Sequence, residues 1–108
     1  MFATLSAKVG SIGDNRLGGW YSYRASKAAL NQIVRASAIE LARTHPEAIC
    51  VAIHPGTVDT ALSRPFAKHG LDVLTAEQAA SDLLAGLETL RPADSGGFFD
   101  RHGRAIPW

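Results

Sequence analysis

The run Ile49-Cys50-Val51-Ala52-Ile53 is apolar at five consecutive positions, so neither face of a strand built from it would be polar. Such a strand must be covered on both sides, and this places the chain among folds with helices on two faces of a sheet. Upstream, Leu30, Ile33, Val34, Ser37, Ala38 and Leu41 recur at spacings of three and four, which predicts one helix from about Tyr21 to Arg43. His45-Pro46 ends that helix, because the residue before proline is pushed out of the helical region. Ahead of it, Phe2 to Leu5 reads as a strand, followed by a loop rich in turn formers through Gly10, Gly13 and Gly18-Gly19. After His54-Pro55-Gly56, the stretch from Asp59 to Gly70 reads as irregular, with one short helix near Ala61-Leu62. Thr75 and Gln78 predict a capping box for a second helix reaching about Leu90, with Ala79, Leu83, Leu84, Leu87 and Leu90 as its apolar stripe. Pro92 to Gly97 is a turn, Gly97 to Asp100 a short strand, and Ile106-Pro107-Trp108 a tail. Strand, helix, strand, helix, strand predicts an α/β fold on a parallel sheet.

With 108 residues, 46% of them apolar and 19% charged, the chain has the balance of one small globular domain. A net charge of +1 with scattered cations argues against nucleic-acid or membrane partners. The single Cys50 excludes an internal disulfide and is expected to be a buried, inert thiol. No apolar stretch is long enough for a membrane span, and the N-terminus lacks the pattern of a signal peptide, so a soluble cytoplasmic protein is expected. His45, His54, His69 and His102 show no ligand spacing, so no metal is expected. Trp20 and Trp108 are expected to pack, and Asp14 and Asp59 to form turns.

Tyr23 and Lys27 stand four residues apart near the start of the long helix, hence on one face. A phenol exchanges protons poorly at neutral pH, and a neighbouring ammonium favours its phenolate. A pair of this kind suits proton donation to a carbonyl oxygen as hydride arrives. Ser11, in the loop leading to the helix, could hydrogen-bond the same oxygen.

The segment Gly18 to Asn31, containing Tyr23-x-x-x-Lys27, resembles the active-site helix of short-chain dehydrogenases/reductases. A second landmark of that family, Pro-Gly-x-Val-x-Thr after a strand, matches Pro55-Gly56-Thr57-Val58-Asp59-Thr60. The tail from Gly97 to Trp108 looks most like the C-factor and sniffer-type carbonyl reductase branch, as does Gly10-Ser11-Ile12. The resemblance implies that Tyr23 is the general acid/base and that Lys27 supports it while bonding the nicotinamide ribose of NAD(P). It implies further cofactor contacts from Pro55, Gly56, the Val58 backbone and Thr60, and a variable substrate loop from Ala61 to Leu74. The family's serine is open: Ser11 lies twelve positions before Tyr23, Ser6 is the alternative, and Ala7 occupies the place in a longer-looped alignment, which would leave no serine.

The strand-Gly-x-x-x-Gly-x-Gly-helix unit that cradles a dinucleotide pyrophosphate does not occur in the sequence. Residues 1–108 are therefore expected to be a partial Rossmann-like domain, the C-terminal half of such an enzyme. Alone, the chain is expected to be inactive, with an open sheet edge. The parent reaction would interconvert a carbonyl and a secondary alcohol by hydride transfer with NAD(P). The alternative is a non-catalytic, C-factor-like signalling or dimerisation module. Family resemblance further implies a homo-oligomer through the Tyr21–Arg43 helix and a small-molecule carbonyl substrate.

Overall fold

The computed structural model describes residues 1–59 and 73–108. Strands β1 (Phe2–Leu5), β2 (Cys50–His54) and β5 (Phe98–Asp100) form one sheet, and β3 (Thr57–Asp59) and β4 (Val73–Thr75) a second, smaller pair. Helix α1 (Tyr21–Ala42) connects β1 to β2, and α2 (Ala76–Glu88) precedes β5. The main sheet has the order β1-β2-β5, parallel throughout, with Phe2 opposite Cys50 and Ala52 opposite Phe98. This is the predicted α/β architecture.

Alternate residues of a strand face opposite sides, and β2 uses both. Cys50 and Ala52 pack with Val34 and Ala38 of α1 and with Phe98 and Ile106. Val51 and Ile53 pack with Leu90 and Phe99, joined by the partly buried Leu83 and Leu87 of α2. All four of these β2 side chains are at most 2% exposed, as the unbroken apolar run requires. Burial raises the Cys50 thiol above its ordinary value, which keeps it protonated.

The two helical stripes need correction. On α1, Val34 and Ala38 are buried together with Asn31, whereas Ile33 and Leu41 are exposed. Each residue turns a helix by about 100°, so Ile33 sits a quarter-turn from Val34 and misses the sheet. On α2, Ala79 and Gly86 face inward and Leu84 outward. The capping box at Thr75 is present, with the Gln78 N–H donating to Thr75 Oγ1 at 3.1 Å. Thr57–Asp59 and Val73–Thr75 pair as parallel strands rather than loop, a pair too short to leave a periodicity in the sequence. The expected helix at Ala61-Leu62, and Thr60, lie outside the described residues.

The tail closes one edge of the main sheet. The Ile106 N–H donates to Phe98 O and the Asp100 N–H to Arg104 O, both at 2.8 Å, so the chain doubles back along β5. Strand β1 has no neighbour on its outer side among the described residues, and its Phe2 and Leu5 are exposed. No described helix is long and apolar enough to cross a membrane.

Candidate active site

Three parallel strands end on the same side of the sheet, at Leu5, His54 and Asp100. Ligands of open parallel sheets bind outside such carboxyl ends. The loop after β1 reaches α1 through three residues of positive φ, namely Gly18 (65°), Gly19 (69°) and Trp20 (56°). Trp20 caps α1 without a side-chain hydrogen bond to the helix. Arg24 ties this entry together. Its Nε donates to Gly19 O at 2.9 Å, Nη2 to Gly18 O at 3.1 Å and Nη1 to Val9 O at 3.1 Å. One guanidinium fork thus fastens three carbonyls of the loop to the first turn of the helix. Nothing in the sequence points to this role, because it depends on where the loop carbonyls lie.

Tyr23 projects from that first turn and is 44% exposed. The Trp20 ring, 58% exposed, meets the Tyr23 ring edge-on with centroids 5.9 Å apart, beside the candidate acid/base. Lys27 Nζ stands 5.8 Å from the centre of the Tyr23 ring and 3.5 Å from Leu5 O at the end of β1. The predicted pair is on one face, and its ammonium sits between the phenol and the sheet.

The serines are elsewhere engaged. Ser11 is 1% exposed, donates to Pro107 O and accepts the Asp14 N–H at 3.0 Å. A hydroxyl has one proton to give, and here the tail takes it. The Ser6 hydroxyl, also buried, donates to Asn31 Oδ1 at 2.6 Å.

The turn after β2 supplies the other wall. His54 Nδ1 accepts the Lys8 N–H at 3.2 Å, which leaves the neutral ring's proton on Nε2 and joins the ends of β1 and β2. Burial, with Lys8 and Arg101 adding to it, holds the imidazole below its ordinary value. Gly56 follows Pro55 at φ +86°, in the left-handed region that favours glycine. A β-carbon at Gly56 would also stand 2.7 Å from Arg101 Nη1 and 3.2 Å from Leu74 Cδ1. Val58 lies in β3, opposite Leu74.

A cavity of about 410 Å³ opens at these strand ends, lined by Lys8, His54, Asp100, Arg101 and Arg104 among others. Burial alone would raise Asp100, but the Arg104 and His102 N–H groups and the Arg104 guanidinium outweigh it and hold the carboxyl low. No group of three metal-ligating side chains occurs among the described residues.

Residues 8–85 match the family model for short chain dehydrogenase. The chain is 38% identical over 107 residues to C-signal of Myxococcus xanthus, covering 98% of this chain and 60% of that protein. The fold superposes on carbonyl reductase Sniffer of D. melanogaster with a TM-score of 0.82 at 29% identity, covering 98% of this chain and 41% of the other. The NADPH-bound carbonyl reductase from chicken fatty liver gives a TM-score of 0.81 at 32% identity, with 98% and 42% covered. The chain therefore spans 60% of its C-signal relative and about two fifths of these reductases.

Proposed function

We propose that this chain, which belongs to the short-chain dehydrogenase/reductase family, supplies the proton-donor half of an NAD(P)-dependent oxidoreductase that interconverts a carbonyl and a secondary alcohol. The observation that carries this reading is Lys27 Nζ, 5.8 Å from the centre of the exposed Tyr23 ring, at the carboxyl end of a parallel sheet. A ring that is half in solvent and backed by an ammonium can exchange a proton with a bound oxygen.

The residues fit the nicotinamide end of such a cofactor. Lys27 offers ammonium protons to a ribose, and the left-handed Gly56 lets backbone approach a flat ring closely. Pro55 sets the turn, and the Val58 backbone, with Thr60 beyond the described residues, completes the proposed contacts. When bound, the dinucleotide supplies the hydride. Tyr23 gives the proton to the carbonyl oxygen in reduction and takes it back in oxidation. In this proposal Ser11 anchors the tail instead of holding the substrate oxygen, since its one proton is committed to Pro107 O. The pyrophosphate cradle would come from residues outside these 108, and the chain alone would not turn over.

A second reading, a non-catalytic signalling or dimerisation module, draws support from the 38% identity to C-signal and from the exposed Ile33, Ile39 and Leu41 of α1. One experiment separates the two. The native species is isolated from its source cells, its mass is measured, and NADPH-dependent carbonyl reduction is assayed with and without Tyr23→Phe. Loss of about 10²-fold or more in turnover supports the proton-donor role. A cellular phenotype that survives Tyr23→Phe supports the module.

A further inference from the structure

Arg101 follows β5 directly, and its side chain makes one ion pair and one close backbone approach. Its Nε donates to Asp82 Oδ2 of α2 at 3.1 Å, and both side chains are mostly shielded, 27% and 37% exposed. Its Nη1 lies against Gly56, where a β-carbon would stand only 2.7 Å away. The backbone of the same residue is also fixed. At Gly86 of α2, a β-carbon would meet Arg101 O at 2.3 Å, so the turn after β5 rests directly on the helix. Arg101 therefore spans three elements: the end of β5, the side of α2, and the Pro55-Gly56 turn after β2. Gly56 is enclosed from a second direction by Leu74 Cδ1, 3.2 Å from the same β-carbon position. Gly56, at φ +86° and without a side chain of its own, is clamped between a guanidinium and a leucine.

We infer that Arg101 is a positioning residue, held by Asp82, that fixes the Pro55-Gly56 turn in the geometry needed to receive a nicotinamide. This rests on the reading of the turn as the nicotinamide contact. The guanidinium acts through the backbone of the turn and does not touch the reacting atoms. Asp82 sets its reach: with Nε tethered, the Nη1 end is directed over Gly56 instead of swinging into solvent. An Arg without that carboxylate, or a carboxylate without that Arg, leaves the turn equally loose. The two substitutions should therefore have the same effect, and combining them should add little.

The experiment uses the 108-residue chain and nicotinamide mononucleotide as the probe. Backbone amide signals of Gly56 and Val58 are followed by NMR during titration, and their hydrogen exchange is measured without ligand. In the wild type, a saturable shift at Val58 is expected. In Arg101→Ala, in Asp82→Ala and in the double variant, exchange at Gly56 should rise, and binding should weaken about tenfold in each, the loss of one charge-assisted hydrogen bond. Should Arg101→Ala fail to fold, Asp82→Ala carries the same test with the cation retained. Tyr23→Phe should leave exchange at Gly56 unchanged, which separates the turn from the acid/base. Unchanged exchange and affinity in the folded Asp82→Ala variant would overturn the role of Arg101 while leaving the nicotinamide reading intact. Absence of any wild-type shift at Gly56 or Val58 would overturn that reading itself, and the positioning role with it.

Discussion

Ser11 shows what a single hydroxyl can and cannot do. Its proton goes to Pro107 O and its lone pair takes the Asp14 N–H, so Ser11→Ala would orphan two backbone groups at a buried site. The expected cost is about 1–3 kcal/mol of stability, read from urea midpoints, with turnover of the native species per folded molecule unchanged. A loss of about 10²–10³ in turnover with stability intact would instead return Ser11 to the substrate oxygen. His54 carries a second prediction at this scale. Its folded-state affinity for protons is lowered from the ordinary value of 6.5, so below that value the unfolded chain binds more protons than the folded one. Stability contributed by neutral His54 is therefore full above 6.5 and is lost as pH falls from there toward the lowered folded value. As pH falls below 6.5 the wild type should lose stability, and His54→Asn, which keeps an acceptor for the Lys8 N–H, should lose less. Asp100 does not confuse this window. Its carboxyl is held below the ordinary range, so its contribution is lost only at more acid pH.

Among the elements, the two helices differ in how clearly the sequence announces them. Thr75 and Gln78 mark the start of α2 to the residue, because a capping box is a local device and needs no tertiary partner. The start of α1 has no such device. It is set by the left-handed run ending at Trp20 and by the Arg24 fork, which joins residues up to 15 positions apart. The inward face of α2 is likewise a tertiary decision, since Gly86 is buried there to admit the turn after β5. This gives a prediction opposite to helix propensity. Gly86→Ala should gain about 1 kcal/mol as a better helix former. The new β-carbon would lie 2.3 Å from Arg101 O, a backbone atom with little room to move. Overpacking of about 1–3 kcal/mol should win, and thermal unfolding should show a lower midpoint.

For the whole molecule, the main sheet has one edge covered by its own tail and one bare edge, β1, among the described residues. Phe2 and Leu5 are 63% and 58% exposed there. Unpaired backbone groups beside apolar side chains invite another strand. The isolated chain should therefore self-associate with rising concentration, and Phe2→Lys should suppress this without unfolding the chain. Sedimentation velocity over a concentration series is the check. A wild type that stays monomeric throughout would show that the edge is protected by something else.

Local chemistry and periodicity by themselves determined the parallel α/β order, the doubly covered β2, the capping box and the Tyr23–Lys27 face. Each depends on spacing within one turn, one strand or one apolar run. Packing alone decided the rest. The buried faces of α1 and α2 follow the width of a three-stranded sheet, not the apolar positions alone, so Ile33 and Leu84 are outside while Asn31 and Gly86 are inside. The sequence left the serine open, because it does not show that Pro107, 96 positions from Ser11, returns to take its proton. Arg101 carries no signal in the sequence for the same reason: Asp82 and Gly56 come to it only when β2, α2 and β5 have docked. Long-range hydrogen bonds and close backbone approaches leave no local periodicity, so only the folded chain displays them.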